Sequence, residues 1–380
     1  MLSNFEIIVF SDELDRHPFS CQHIMEHFFA TNRVLWVTPT GMRNPKLSLY
    51  DLRRALEKLG TWFSPKPVKP GRCRCEQITP PALPGNDNAI IRAINNAIVK
   101  SQLKQRLRSG AKRLVITTLP FIAEYVDAFD ADLIVYYIVD DYMKFPGINH
   151  DYIDALEKKL LQRADLLIAS AEALCQLKQG AARPVLIPHG VDDKHFTSCG
   201  TGPIPVELAW IKKPLIGFFG AISPWLDFEL IETMASRKKD WNFVFIGPVD
   251  ADVTRLRQLG NIHFVGKVNY TELPQYAHQF DVGIIPFLIN DLTISVNPLK
   301  LLEYFACGLP VVSTPLPEVC KFDGDAYIAV DAESFIRCIE EALECTSEKR
   351  VRLGQIAAEN SWRAVAERFS AVIEEALENR

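Results

Sequence analysis

Short apolar runs recur along the chain, each suited to a buried strand and most followed by a stretch with helical spacing. Glu6-Ile7-Ile8-Val9-Phe10 predicts a first strand, Ser20 to Ala30 a helix, and Val34-Leu35-Trp36-Val37-Thr38 a second strand. A stretch broken by Pro65, Pro67 and Pro70 and by the turn cluster Pro80 to Gly85 follows, then a long polar helix over Asn88 to Arg108. Further strands are predicted at 114–117, 133–138, 166–169 and 185–187. The uncharged stretch Thr197 to Pro205, with two Gly and two Pro, predicts a linker. Beyond it the alternation restarts, with strands at 215–219, 243–246, 262–265, 282–285 and 311–313. The end of the chain is helical, with Trp362, Val365, Phe369, Val372 and Ile373 on one apolar face. Strands alternating with helices specify parallel sheets. The expected fold is therefore α/β, with two facing doubly wound Rossmann-like domains over 1–197 and 198–360 and a terminal helix over 361–380 that can pack back on the first. Ligands of such sheets bind beyond the carboxyl ends of the strands, so the expected site is an interdomain cleft.

Composition narrows the class. With 48% apolar and 23% charged residues over 380 positions, the chain has the proportions of a folded protein of two or three domains. No run approaches the roughly 18 apolar residues that span a bilayer. The start, Met1 to Glu6, has neither the basic nor the apolar stretch of a signal peptide. Nine scattered cysteines, an odd number, suit reduced thiols rather than a disulfide framework. Secreted, fibrous and membrane-spanning classes are excluded on these grounds, and a cytoplasmic location is expected.

The net charge of −5 conceals a segregation. Residues 42–113 hold sixteen Lys or Arg against four acids, a balance of +12 that leaves −17 for the rest of the chain. Such a window suits either solvated basic helices or an anionic membrane surface, where each cation contributes about 1 kcal/mol. Neither zinc-finger spacing nor an RNA-binding sheet signature accompanies it, so nucleic acid is not expected.

The segment that carries chemistry is Asn297-Pro298-Leu299-Lys300-Leu301-Leu302-Glu303-Tyr304-Phe305-Ala306-Cys307-Gly308-Leu309-Pro310. Asn297 is a good N-cap and Pro298 a good first helical residue, and Gly308 closes the helix. Lys300 and Glu303, three apart, share a face. A helix N-terminus with a lysine in its first turn suits a diphosphate. A carboxylate one turn on can accept hydrogen bonds from the two hydroxyls of a ribose.

This segment resembles the donor-binding signature of GT-B glycosyltransferases, notably glycosyltransferase family 4 and bacterial exopolysaccharide glycosyltransferases. Four further segments share the resemblance in sequence order: Pro188-His189-Gly190-Val191-Asp192, Ile216 to Ile222, Phe264-Val265-Gly266 with Leu273-Pro274-Gln275-Tyr276, and Asp281 to Phe287. It is specific over about 185–320 and architectural over the first half. The resemblance implies the GT-B fold and sugar transfer from a UDP- or GDP-linked donor used as co-substrate, without a cofactor or metal. It gives Glu303 the ribose, and gives Gly220, Ala221 and Ile222 the diphosphate through their backbone amides. Ser295 and Lys300 would face the phosphates, with Asn297 and Leu299 beside them. Gly190 would line the cleft, and Gly266, Lys267 and Val268 would hold the base. Two positions depart from the pattern. Ser295 stands where retaining members often carry a glutamate, and Pro224-Trp225-Leu226-Asp227 where a basic residue is common.

On the acceptor side, sugar transfer with inversion needs a general base near the attacking hydroxyl. Asp140 and Asp141 end a predicted strand and are the candidates, Asp140 first and Asp141 second, and as adjacent side chains point apart the two are not expected to share one role. His17 and His23 fall in the loop and helix after the first strand and are candidate acceptor contacts. Cys73-x-Cys75 lacks partners at zinc spacing, and Asp130-x-Asp132, Asp250-x-Asp252 and Asp323-x-Asp325 read as chance D-x-D patterns. The expected function is a glycosyltransferase acting on a lipid-linked saccharide in polysaccharide or cell-envelope biosynthesis, peripheral on the cytoplasmic membrane face. A nucleotide-sugar 2-epimerase of the same fold and a non-catalytic nucleotide-sugar-binding protein are the alternatives. A dinucleotide oxidoreductase is disfavoured, as no G-x-G-x-x-G follows a strand.

Overall fold

The computed structural model describes residues 1–14, 19–39, 75–83, 88–144, 149–198 and 202–380. The chain divides into two compact units: 1–169 with 174–187 and 366–380, and 188–365 with 170–173. The stretch read as a linker falls inside the second unit, because Phe196 and Leu208 on either side of it are buried in that unit's core. The terminal helix Trp362–Glu378 is shared, its first four residues belonging to the second unit and the rest to the first.

The first unit has one seven-stranded sheet, all parallel. Its strands are β1 (Glu6–Phe10), β2 (Arg33–Val37), β3 (Glu76–Ile78), β4 (Arg113–Thr117), β5 (Leu133–Ile138), β6 (Leu166–Ala169) and β7 (Val185–Leu186). They are ordered β3-β2-β1-β4-β5-β6-β7, so the order reverses at β1 and β4. β1, β4 and β5 are buried along their whole length, which is why their sequences are apolar runs rather than alternations. The second unit repeats the plan with β8 (Leu215–Phe219), β9 (Asn242–Ile246), β10 (Ile262–Gly266), β11 (Val282–Ile285), β12 (Val311–Ser313) and β13 (Tyr327–Ile328), ordered β10-β9-β8-β11-β12-β13. Its reversal point lies between β8 and β11.

Eleven predicted strands are present within a residue or two of their expected ends, and two more were not anticipated. β3 exposes Glu76 and Gln77 and buries only Ile78, and β13 is two half-buried residues long, so neither leaves an apolar run to read. The helix expected over 88–108 runs Ala89–Lys104, capped by the Asn88 side chain on the amides of Ile90 and Ile91.

Candidate functional site

In the second unit the sheet's carboxyl edge is built from glycine. β8 runs into Gly220, whose φ of +132° no ordinary side chain adopts. The Gly220 amide donates to the Ile246 carbonyl (2.9 Å), and the Ile222 amide to that of Pro248 (2.8 Å). Gly247, with φ +146°, follows β9 and donates its amide to Gly266 at the end of β10 (2.8 Å). A Cβ on Gly247 would lie 1.9 Å from the Gly220 carbonyl oxygen, so the two loops meet backbone to backbone. This corrects the expectation that Gly220, Ala221 and Ile222 all offer amides to a diphosphate. Two of the three are engaged in joining the strand ends, and only the Ala221 amide has no acceptor among the described residues. Gly247 carries no motif in the sequence beyond a glycine just after an apolar strand.

The helix Leu299–Ala306 begins one residue later than expected. Pro298, not Asn297, takes the N-cap position, and no side chain caps the helix. Asn297 instead donates from Nδ2 to the Ser170 carbonyl (3.0 Å), within the same unit. The amides of Leu299 and Lys300 therefore open the helix without acceptors among the described residues. Tyr304 fixes the helix to the sheet. Its hydroxyl accepts from the Phe219 amide (3.2 Å) and donates to the Gly217 carbonyl (3.3 Å), and its ring fills the space that a side chain on Gly283 would need.

Lys300 and Glu303 are half-buried on this helix. The Lys300 side chain reaches Gly220, where an added Cβ would stand 3.2 Å from its Cε and 3.5 Å from its Nζ. Burial holds the ammonium below the usual lysine range, with Glu303 opposing, and pushes the Glu303 carboxyl up, with Lys300 opposing. Both shifts have one cause: two charges held out of water, neither in ion-pair contact with the other. Ser295, on the turn Thr293–Ser295, is 2% exposed and its Oγ has no partner among the described residues. The sequence brings Gly220, Ala221, Lys300 and Glu303 together at one edge.

Other expected donor residues are placed differently. Gly190 is buried against the terminal helix, and a Cβ there would fall 2.9 Å from the Asn360 carbonyl and from Val365. On this side it is a packing glycine. His189 beside it is packed near the Trp362 ring, and burial lowers its pKa to about 4. Gly266 turns with φ +86° and accepts from Gly247, Lys267 is exposed, and Val268 packs on the core.

In the first unit Asp140 and Asp141 follow β5 and divide their work. Asp141 is buried and accepts from Lys178 Nζ (2.7 Å), which also donates to Glu157 (2.7 Å). Glu157 accepts in turn from the Tyr136 hydroxyl (2.9 Å). Asp141 is thus an anchor within a satisfied buried network, not a candidate base. Asp140 is half-buried, and its pKa is pushed up to about 7, first by burial and then by the charges of Asp12 and Asp141. Asp12, two residues past β1, was not singled out in the sequence. It obeys the same rule as Asp140, a carboxylate just beyond an apolar strand. Tyr142 closes the group, donating to the Thr118 carbonyl (3.0 Å). His23 lies half-buried on the helix Ser20–Glu26, and His17 lies outside the described residues.

Among the described residues no group of three His, Cys, Asp or Glu could hold a metal ion. The D-x-D aspartates have local duties: Asp132 accepts from the Arg113 amide, Asp252 from Thr254, and Asp325 pairs with Arg352.

Residues 213–345, which contain Gly220, Lys300 and Glu303, match the family model described as Glycosyl transferases group 1. A Bacillus subtilis (strain 168) protein, provisionally named as a teichuronic acid biosynthesis glycosyltransferase, TuaH, is 33% identical over 178 residues. That match covers 44% of this chain and 45% of the relative, so the chain matches under half of that protein's length. Among solved structures, the E. coli trehalose-6-phosphate protein bound with UDP-2-fluoro glucose covers 98% of this chain and 99% of its own, with a TM-score of 0.67 at 15% identity. Anabaena HepE in complex with UDP-glucose covers 98% and 100%, with a TM-score of 0.67 at 13% identity. The likeness to these structures is one of fold. With two doubly wound units each reversing strand order at its centre, the architecture is GT-B.

Proposed function

We propose that this chain is a glycosyltransferase that moves a sugar from a nucleotide-diphosphate donor, UDP- or GDP-linked, to a saccharide acceptor. The observation that carries the reading is the meeting of Lys300 with the Gly220 turn at the uncapped start of the Leu299–Ala306 helix, with Glu303 one turn further in. Helix amides, the Ala221 amide and an ammonium suit the diphosphate, and an ionised Glu303 suits the ribose hydroxyls. The matched family model and the UDP-sugar-bound structures of the same fold support this donor class. As the glycosidic bond to the leaving diphosphate breaks, the new charge on its oxygen falls among these positive groups. Asp140, with a pKa near neutrality, takes the proton of the attacking hydroxyl.

The acceptor class extends the same proposal. The teichuronic acid name of the relative supports an envelope polysaccharide, and a lipid-linked saccharide fits a chain with a basic window. Within that window Arg92, Arg106 and Arg113 pair with Glu124, Glu76 and Glu6, which leaves Lys100, Lys104, Arg108 and Lys112 among the described residues to face an anionic surface. Ile90 and Ile94 lie exposed on the same helix, Ala89–Lys104. No helix among the described residues is long and apolar enough to cross a membrane, and docking is therefore proposed as peripheral. Sedimentation with vesicles containing anionic lipid, but not with neutral ones, is the expected result.

A thermal-shift panel of UDP, GDP, ADP and dTDP tests the donor site. One nucleotide at about 100 times its dissociation constant is expected to stabilise the protein by roughly 2.7 kcal/mol, and Glu303→Ala to abolish the effect. No shift from any of the four overturns the donor assignment. Turnover of the sugar nucleotide that requires a saccharide acceptor separates transfer from epimerisation.

A further inference from the structure

Lys300 is held by aromatic rings rather than by a carboxylate. Its Nζ lies 5.3 Å from the centre of the Phe218 ring and 4.9 Å from that of Phe287. Among the described residues it makes no hydrogen bond or ion pair, and Glu303 attracts it only from a turn away. Both rings are buried and firmly placed. Phe218 belongs to β8, and its ring meets that of Phe287 edge-on at 6.5 Å. Phe287 is fixed through its backbone, which bridges to Leu226 and accepts from Thr314 Oγ1 (2.8 Å).

The choice of partner matters for an anion site. A carboxylate would orient the ammonium but cancel its charge toward an incoming phosphate. A ring face orients a cation through its quadrupole and leaves the net charge whole. We propose that Phe218 and Phe287 are positioning residues for the donor diphosphate, their ring faces holding the Lys300 ammonium over Gly220 with its charge uncancelled. The inference rests on the donor-site reading above and adds to it what keeps the lysine in place.

Replacing Phe287 by 4-fluoro-, 3,5-difluoro- and 3,4,5-trifluorophenylalanine drains the ring face stepwise while nearly preserving its shape. Titration calorimetry with UDP is expected to show affinity falling step by step, to about three- to tenfold weaker in the trifluoro protein. The melting temperature of the unliganded protein is expected to stay within a degree or so across the series, since the packing is unchanged. In a Lys300→Met background the same series is expected to leave UDP affinity flat. A flat UDP affinity with Lys300 intact, in a protein where Lys300→Met does weaken UDP, overturns the role of the rings and leaves the donor site standing. A Lys300→Met protein that binds UDP as tightly as the parent overturns both.

Discussion

At the scale of single residues, burial keeps Asp140 in the first unit, and Lys300 and Glu303 in the second, away from their ordinary protonation. Asp140 shows the consequence most directly. Its folded pKa of about 7 lies above the ordinary aspartate value, so the folded protein holds a proton that the unfolded chain has released. Its contribution to stability is fully present below about pH 4 and is lost as pH rises through 7. Asp140→Asn, which stays neutral at every pH, is expected to leave stability at pH 4 nearly unchanged. At pH 8 it is expected to add on the order of 1–2 kcal/mol, allowing for partial solvent exposure. Urea melts at the two pH values check this, and a fall of about 10²–10⁴-fold in transfer rate is expected alongside. Lys300 and Glu303 are displaced in opposite senses, the cation towards losing its proton and the carboxyl towards keeping one. Donor affinity is therefore expected to rise with pH as Glu303 ionises and to fall again as Lys300 deprotonates, a bell-shaped profile that Glu303→Gln reduces to its descending limb.

At the scale of elements, the site depends on how three strands end. β8, β9 and β10 run into Gly220, Gly247 and Gly266, and hydrogen bonds join the first turn to β9 and the second to β10. Gly247→Ala places a methyl group against the Gly220 carbonyl and forces a backbone that alanine resists. A loss of at least about 2 kcal/mol and of nucleotide-induced stabilisation is expected. Gly260→Ala, where an added Cβ meets nothing within 4 Å, is the matched control and is expected to change stability by less than about 0.5 kcal/mol. Thermal melts with and without nucleotide check both. Strands such as β1, β5 and β8 were legible because burial on both faces leaves an unbroken apolar run. Lys300 and Glu303 were legible because helical spacing alone puts them on one face. Sequence spacing does not say whether an amide already has an acceptor, and so Gly220 and Ile222 were assigned amides that the neighbouring loop uses. Asp12 was missed for a related reason. Its company with Asp140 arises only from a sheet order that puts the end of β1 two strands from that of β5.

At the scale of the whole molecule, the terminal helix serves both units. Phe369 and Ile373 are fully buried in the first unit, Phe369 edge-on to Tyr137 at 5.6 Å. Phe369→Ala is expected to destabilise the first unit by about 3–5 kcal/mol, read as earlier proteolysis within residues 1–169 while 188–365 stays resistant. The second unit also secures its own ends. The Val191 amide donates to the Asn360 carbonyl (3.1 Å) and the Trp362 amide to that of Val191 (3.0 Å), so the long segment 188–365 of this unit begins and ends at adjacent points. A segment whose two ends lie side by side can be exchanged for the equivalent piece of a relative without stretching either connection, provided that residues 170–173, which belong to the same unit and hold Asn297 through the Ser170 carbonyl, are exchanged with it.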